Sequence, residues 1–161
     1  NDKPIVGPYN VNKKGSNDMY QKGSLMLHTL RSLVDNDSLW FSIIKSISED
    51  FKFKVIDGVD ILKYIKSKVN LDLDSFFDQY LYNSKIPIFE YKIHKEGREY
   101  VLVYRWDAIE NFNMKLFIND GQNNTWIYPE SKWKEFSLGN IDIKSFKIRD
   151  DLFYIDVKKI N

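Results

Sequence analysis

The sequence contains no cysteine, and its 161 residues include only two histidines, His28 and His94. The absence of cysteine excludes a disulfide scaffold, a thiol nucleophile and a cysteine zinc site, and it fits either a reducing or an oxidising compartment. A zinc site built on a helix needs two histidines one helical turn apart, and these two are far apart. The sequence therefore predicts no metal site in this chain, and His28 is expected to satisfy a local hydrogen bond.

Excess charge of either sign and long apolar runs are also absent. The 24 lysines and arginines against 23 aspartates and glutamates leave a net charge of +1, which provides no global field for nucleic acid or anionic lipid. No apolar run approaches the ~18 residues needed to span a membrane. The chain is therefore predicted to have no nucleic-acid partner and no membrane segment.

Apolar residues recur at helical spacing through the first half of the chain, and cap signals divide this pattern into about four helices. Asp18, with Gln21 three residues later, marks a helix that begins at Met19. Further candidate capping residues mark the starts of the second, third and fourth helices. They are Asn36, Asp37 or Ser38 for the second, Asp57 for the third, and Asp72 or Asp74 for the fourth.

The first helix is predicted to bury one stripe of its surface against a larger body. That stripe comprises Gly23, Met26, Leu27, Leu30, Leu33 and Val34. Lys22, Arg31 and Ser32 are expected on the other side of the helix. In the fourth helix, the aromatic pair Phe76 and Phe77 is predicted to be core.

After Pro87, which blocks helix propagation, the apolar residues alternate as they do in strands. Turn signals at Lys95-Glu96-Gly97, Asn119-Asp120-Gly121, Leu138-Gly139-Asn140 and Arg149-Asp150-Asp151 separate about seven strands. The predicted fold class is α+β, with an N-terminal helical block followed by an antiparallel β-sandwich. The predicted units are residues 1-85 and residues 86-161.

One stretch is the candidate for catalytic residues. It is Met19-Tyr20-Gln21-Lys22-Gly23-Ser24, followed by a Leu/Met-rich helix. This Tyr-x-Lys-Gly motif resembles the alanyl-aminopeptidase-type gluzincin zinc peptidases. The preceding Lys3-Pro4-Ile5-Val6-Gly7-Pro8-Tyr9 is similar to the approach to the catalytic tyrosine in a bacterial branch of that family. A second match is Phe76-Phe77-Asp78-Gln79-Tyr80-Leu81 followed by Pro87, which resembles the end of the family's catalytic domain.

The resemblance implies that Tyr20 is catalytic in a longer parent enzyme, where it donates a hydrogen bond to the oxyanion of the tetrahedral intermediate. It also implies a parent aminopeptidase that removes N-terminal residues from peptides, with one zinc held by the upstream half of the protein. The chain, which begins at Asn1 without an initiator methionine, is expected to be a C-terminal fragment. It would lack the zinc site and be inactive alone, with the upstream half and the parent's peptide substrate as its partners.

Two alternatives remain open from the residues themselves. Tyr20 in a first turn is also typical of a packing residue. The whole chain could be a noncatalytic interaction module in which the sandwich binds a protein or a glycan. Six lysines with Trp133 and Phe136 nearby could bind an oligosaccharide or nucleic acid, although interspersed acidic residues favour a solvated face. These lysines are Lys132, Lys134, Lys144, Lys147, Lys158 and Lys159. The stripe on the first helix is expected to be only partly covered, which would promote self-association.

Overall fold

The structure is a computed structural model that describes residues 3–8 and 15–161. Four α-helices come first: α1 (Met19–Val34), α2 (Asp37–Asp50), α3 (Gly58–Lys68) and α4 (Asp74–Phe77). Helix α4 continues directly into a π-helical turn, Asp78–Tyr82, which is called the π-turn below. No helix in the described ranges is both long enough and apolar enough to cross a membrane.

Local capping explains where the helices begin. The side chain of Asn36 accepts a hydrogen bond from the Leu39 amide at 2.9 Å at the start of α2. Asp57 and Asp60 form a reciprocal capping box at the start of α3. Helix α1 begins at Met19 as predicted, but the predicted capping box is wrong, because the Asp18 side chain makes no capping hydrogen bond.

Seven strands follow the helices and form two sheets. The strands are β1 (Ile88–Glu96), β2 (Glu99–Asp107), β3 (Leu116–Asn119), β4 (Asn124–Ile127), β5 (Lys134–Gly139), β6 (Lys147–Ile148) and β7 (Asp156–Lys159). One sheet has the order β5-β2-β1-β7 and the other the order β4-β3-β6. The predicted fold class, α+β with helices first and about seven strands after them, is confirmed.

The four-stranded sheet is mixed. Strands β1 and β2 pair antiparallel through the tight turn at Gly97, where φ is +61°. Strands β1 and β7 pair in parallel, with Phe89 opposite Val157. The sequence predicted only antiparallel pairing, because an alternating apolar pattern defines the faces of a strand and carries no information about its direction.

The core joins both halves of the chain. Buried side chains from α1, α2 and α4 belong to the same cluster as Phe89 and Trp106 from the sheet. The Trp106 ring contacts Phe89 and Phe112 edge-on, with ring centroids 5.4 and 5.2 Å away. Phe76 and Phe77 are 2% and 4% exposed, which confirms them as core. The unit boundary at residue 85 stays a prediction.

Candidate functional site at the start of helix α1

Tyr20 lies in the first turn of α1, and 76% of its surface is exposed. The opposite side of the helix is buried, with Met26, Leu30 and Leu33 between 0% and 7% exposed. Tyr20 and Leu27 are two helical turns apart on the same side, and Leu27 is also exposed, at 41%. The phenol therefore projects outward from the described part of the chain.

Backbone and hydroxyl contacts hold the start of α1 in place. The Ser16 hydroxyl, on a residue only 4% exposed, accepts a hydrogen bond from the Asp18 amide at 2.9 Å. The Ser16 amide donates to the Pro4 carbonyl oxygen at 2.8 Å, and the Lys22 amide donates to the Asp18 carbonyl oxygen at 2.8 Å. The turn that carries Tyr20 is thus bonded to the segment that precedes it.

Residues 3–8 form a strap between the start of α1 and the end of the π-turn. The Val6 amide donates to the Leu81 carbonyl oxygen at 3.0 Å. Gly15 approaches the strap so closely that a Cβ atom there would lie 2.8 Å from the Ile5 carbonyl carbon. The strap belongs to the motif that resembles the family's approach to its catalytic tyrosine, and Tyr9 of that motif lies outside the described residues.

The sequence placed two residues of α1 wrongly: Leu27, predicted to be buried, is 41% exposed, and Lys22 is buried. The amphipathic pattern predicted it on the outer side of α1, whereas it is only 5% exposed. Its Nζ atom donates to the Asn83 carbonyl oxygen at 2.6 Å and to the Ser84 carbonyl oxygen at 3.3 Å. Burial lowers the pKa of the Lys22 ammonium from its ordinary value, and the nearby Asp18 carboxylate opposes that shift.

A usable signal for Lys22 was present in the sequence. Lys22, Met26 and Leu30 follow one another at four-residue intervals, so the lysine lies at the head of the buried stripe. Thr29 is likewise fully buried, although it was not assigned to the stripe. Its hydroxyl accepts a hydrogen bond from the Tyr154 amide at 2.8 Å, which joins α1 to the segment before β7. Within the stripe that was expected to be only partly covered, Met26, Leu30 and Leu33 are buried, whereas Leu27 is 41% exposed.

The two histidines make separate contacts, and that of His28 is not the expected local one, because its partner lies 123 residues away in the chain. His28 Nε2 is 3.3 Å from the Asp151 carbonyl oxygen, and His94 Nε2 is 2.9 Å from Glu96 Oε1. Within residues 3–8 and 15–161, no three His, Cys, Asp or Glu side chains are grouped to hold a metal ion. The described residues do not fit a zinc site.

Three of the lysines considered with Trp133 and Phe136 lie on the sheet β5-β2-β1-β7: Lys134 in β5, and Lys158 and Lys159 in β7. Lys158 Nζ donates to Glu90 Oε1 at 2.9 Å, and Arg105 donates to Glu90 Oε2 at 2.7 Å. The Arg105 guanidinium lies over the Trp133 ring, 4.6 Å from its centroid. Lys158 therefore has an acidic neighbour within the chain, and Arg105 has both an acidic and an aromatic one.

The chemistry available at the start of α1 is that of a single phenol. An exposed tyrosine hydroxyl on an anchored turn can donate one hydrogen bond to a negatively charged oxygen. Residues 3–8 and 15–161 hold no group of His, Cys, Asp and Glu side chains that could bind a metal ion beside Tyr20. The phenol would therefore stabilise charge that other groups create.

Comparison with known proteins finds similarity to solved structures. No family model and no curated protein matches the sequence. The fold matches part of a crystal structure of Legionella pneumophila aminopeptidase A in complex with aspartic acid, with a TM-score of 0.69 and 14% sequence identity. The match covers 91% of this chain and 18% of that chain. This likeness shows an aminopeptidase-like fold, and the chain spans less than a fifth of the matched protein.

Proposed function

We propose that this chain is a segment of a zinc aminopeptidase that removes N-terminal residues from peptides. The segment would form the last helices of the catalytic domain and the sandwich after it. The Tyr-x-Lys-Gly motif suggests this class, and the likeness to a stretch of an aminopeptidase structure supports it. Zinc and the groups that hold it would belong to the upstream part of the longer protein.

The observation that carries the proposal is the placement of Tyr20. A packing residue would be buried, whereas the Tyr20 ring is 76% exposed on a turn whose other side is anchored. In the longer protein its hydroxyl would donate to the oxyanion that forms when a peptide carbonyl is attacked. A hydrogen bond that strengthens as this charge develops lowers the barrier to reaction.

The exposed side of α1 also suggests where the upstream half would lie. Tyr20 and Leu27, on the same side of α1, are 76% and 41% exposed. Apolar surface of this kind is commonly covered by another part of a protein. An upstream catalytic half that packed on this side would enclose Tyr20 and exclude water from it.

The experiment compares the complete protein with the 1–161 segment. Short peptides are incubated with each, and the release of N-terminal residues is followed by mass spectrometry. The proposal predicts release by the complete protein, loss of activity with a chelator and recovery with zinc, and no release by the segment. A folded, zinc-loaded complete protein that releases nothing would contradict it and favour a noncatalytic interaction module.

A further inference from the structure

Lys22 and Tyr20 are two residues apart, and their side chains leave α1 on nearly opposite sides. Two residues correspond to a rotation of roughly 200° about a helix axis. Accordingly, Lys22 is 5% exposed and Tyr20 is 76% exposed. The contacts that hold the Lys22 side chain therefore fix the rotation of the first turn about the axis of α1 and the direction in which the Tyr20 phenol points.

The atoms that hold Lys22 are backbone carbonyl oxygens at the end of the π-turn. Asn83 is the residue at which that turn ends, and its oxygen lies 2.6 Å from Lys22 Nζ. The last carbonyl groups of a helical segment lack partners within the segment and carry partial negative charge. An ammonium group supplies both the hydrogen bonds and the opposite charge that these oxygens require.

The segment that receives Lys22 is itself held in place. Gln79, only 1% exposed, donates from Nε2 to the Lys85 carbonyl oxygen at 2.7 Å and accepts from the Ile109 amide at 3.0 Å. The Lys85 amide donates to the Asn83 side chain at 2.9 Å. Residues 83–85 are thus fixed to the core and to the segment after β2, so Lys22 is bonded to an anchored part of the chain.

We propose that Lys22 is a positioning residue for Tyr20, acting as a latch between the first turn of α1 and the carbonyl groups of Asn83 and Ser84. This inference rests on the proposed function, because it assumes that the phenol contacts an oxyanion. A hydrogen-bond donor helps a reaction only when it lies in the productive geometry, and small displacements remove most of its effect. Without the latch, the first turn loses the contact that fixes its rotation.

The test uses four variants of the complete, zinc-loaded protein: Lys22→Met, Lys22→Arg, Tyr20→Phe, and the double variant Lys22→Met/Tyr20→Phe. Methionine keeps the length of the side chain but cannot donate to the carbonyl oxygens, whereas arginine retains charge and N–H donors. Lys63→Met on α3 is the control, because Lys63 is exposed. The measurements are kcat, KM, zinc content and amide exchange of residues 19–24.

Lys22→Met is expected to lower kcat by about tenfold to a hundredfold with little change in KM. In the Tyr20→Phe background the same substitution should cause almost no further loss, because the hydroxyl that it displaces is already absent. Exchange of residues 19–24 should accelerate, Lys22→Arg should recover part of kcat, and Lys63→Met should match the wild type.

Several results would overturn the latch. An equal fold-loss from Lys22→Met in both backgrounds would show that Lys22 does not act through Tyr20. If kcat were normal for Lys22→Met but low for Tyr20→Phe, the positioning role of Lys22 would be refuted and the proposed function would stand. A normal kcat for Tyr20→Phe would refute the proposed function, and the latch with it. If Lys22→Met does not fold, a folded Lys22→Arg protein with kcat as low as Tyr20→Phe would contradict the proposal.

Discussion

Tyr80 and Tyr154 are joined by a hydrogen bond in which the Tyr80 hydroxyl donates to the Tyr154 carbonyl oxygen at 2.7 Å. Tyr80 is fully buried in the π-turn, and its burial raises the pKa of the phenol well above its ordinary value. The Tyr154 amide donates to Thr29 of α1. Tyr154 is therefore bonded to both helical elements, which fastens the chain before β7 to the helical block.

Removal of the Tyr80 hydroxyl should lower stability without disturbing the fold. Tyr80→Phe keeps the ring in the core but leaves the Tyr154 carbonyl oxygen without this donor, which costs about 1–3 kcal/mol. Chemical denaturation of the segment measures the change. Tyr128→Phe is the control, since Tyr128 is 59% exposed, and it should change stability by less than about 0.5 kcal/mol. Equal losses in the two variants would contradict the role given to this hydrogen bond.

Two glycines near Tyr20 should respond in opposite directions to alanine. At Gly15 a Cβ atom would overlap the Ile5 carbonyl group of the strap, and the backbone would have to move. Gly15→Ala should therefore lower the unfolding free energy by about 1–3 kcal/mol. Gly23, within α1, has no neighbour within 4 Å of such an atom.

Gly23→Ala should raise the unfolding free energy by roughly 0.5–1 kcal/mol, because alanine loses less backbone entropy than glycine in a helix. Thermal unfolding of both variants checks the pair. If Gly15→Ala were as stable as the wild type, the close approach of the strap to the start of α1 would be wrong.

Glu90 should make the protein sensitive to acid. Hydrogen bonds from Lys158 and Arg105 hold the pKa of this carboxyl group below its ordinary value of 4.5. Because the folded state binds this proton more weakly than the unfolded state, the stabilisation is complete above pH 4.5 and is lost as the pH falls through the folded pKa.

Glu90→Gln removes that ionisation, so the stability difference between wild type and variant should shrink on acidification. Melting temperatures measured from neutral pH to pH 3 would show it. Glu135→Gln on strand β5 of the same sheet is the control, because no ion pair among the described residues includes Glu135. A wild-type advantage over Glu90→Gln that stayed constant across this range would contradict the account.

The helices were predictable because their signals are local. Asn36 and Asp57 cap the helices that they were expected to cap, and Phe76 lies in the core. The strands could be predicted less completely from the sequence. Strand β5 was not predicted, because only two apolar residues, Phe136 and Leu138, alternate in it, after the charged pair Lys134 and Glu135. Its pairing with β2 depends on distant residues.

Other differences also have tertiary causes. Phe112 and Met114 alternate as in a strand, yet they lie in the loop before β3, where the Trp106 indole donates to the Met114 carbonyl oxygen at 2.9 Å. Lys22 was predicted on the outer side of α1 because a lysine is usually exposed, although its spacing from Met26 and Leu30 matches that of the buried stripe. Only the fold reveals that carbonyl groups 61 residues away lie within its reach.

Stabilisation of the oxyanion by the Tyr20 hydroxyl is tested most directly by Tyr20→Phe in the complete, zinc-loaded protein. Phenylalanine keeps the ring and removes only the donor, and the exposed position makes a change in folding stability unexpected. If the hydroxyl stabilises the oxyanion, kcat and kcat/KM should fall together by about 10²–10³-fold with KM little changed. Zinc content and melting temperature should be preserved. Turnover within about threefold of wild type would contradict the claim, since loss of an oxyanion donor costs far more.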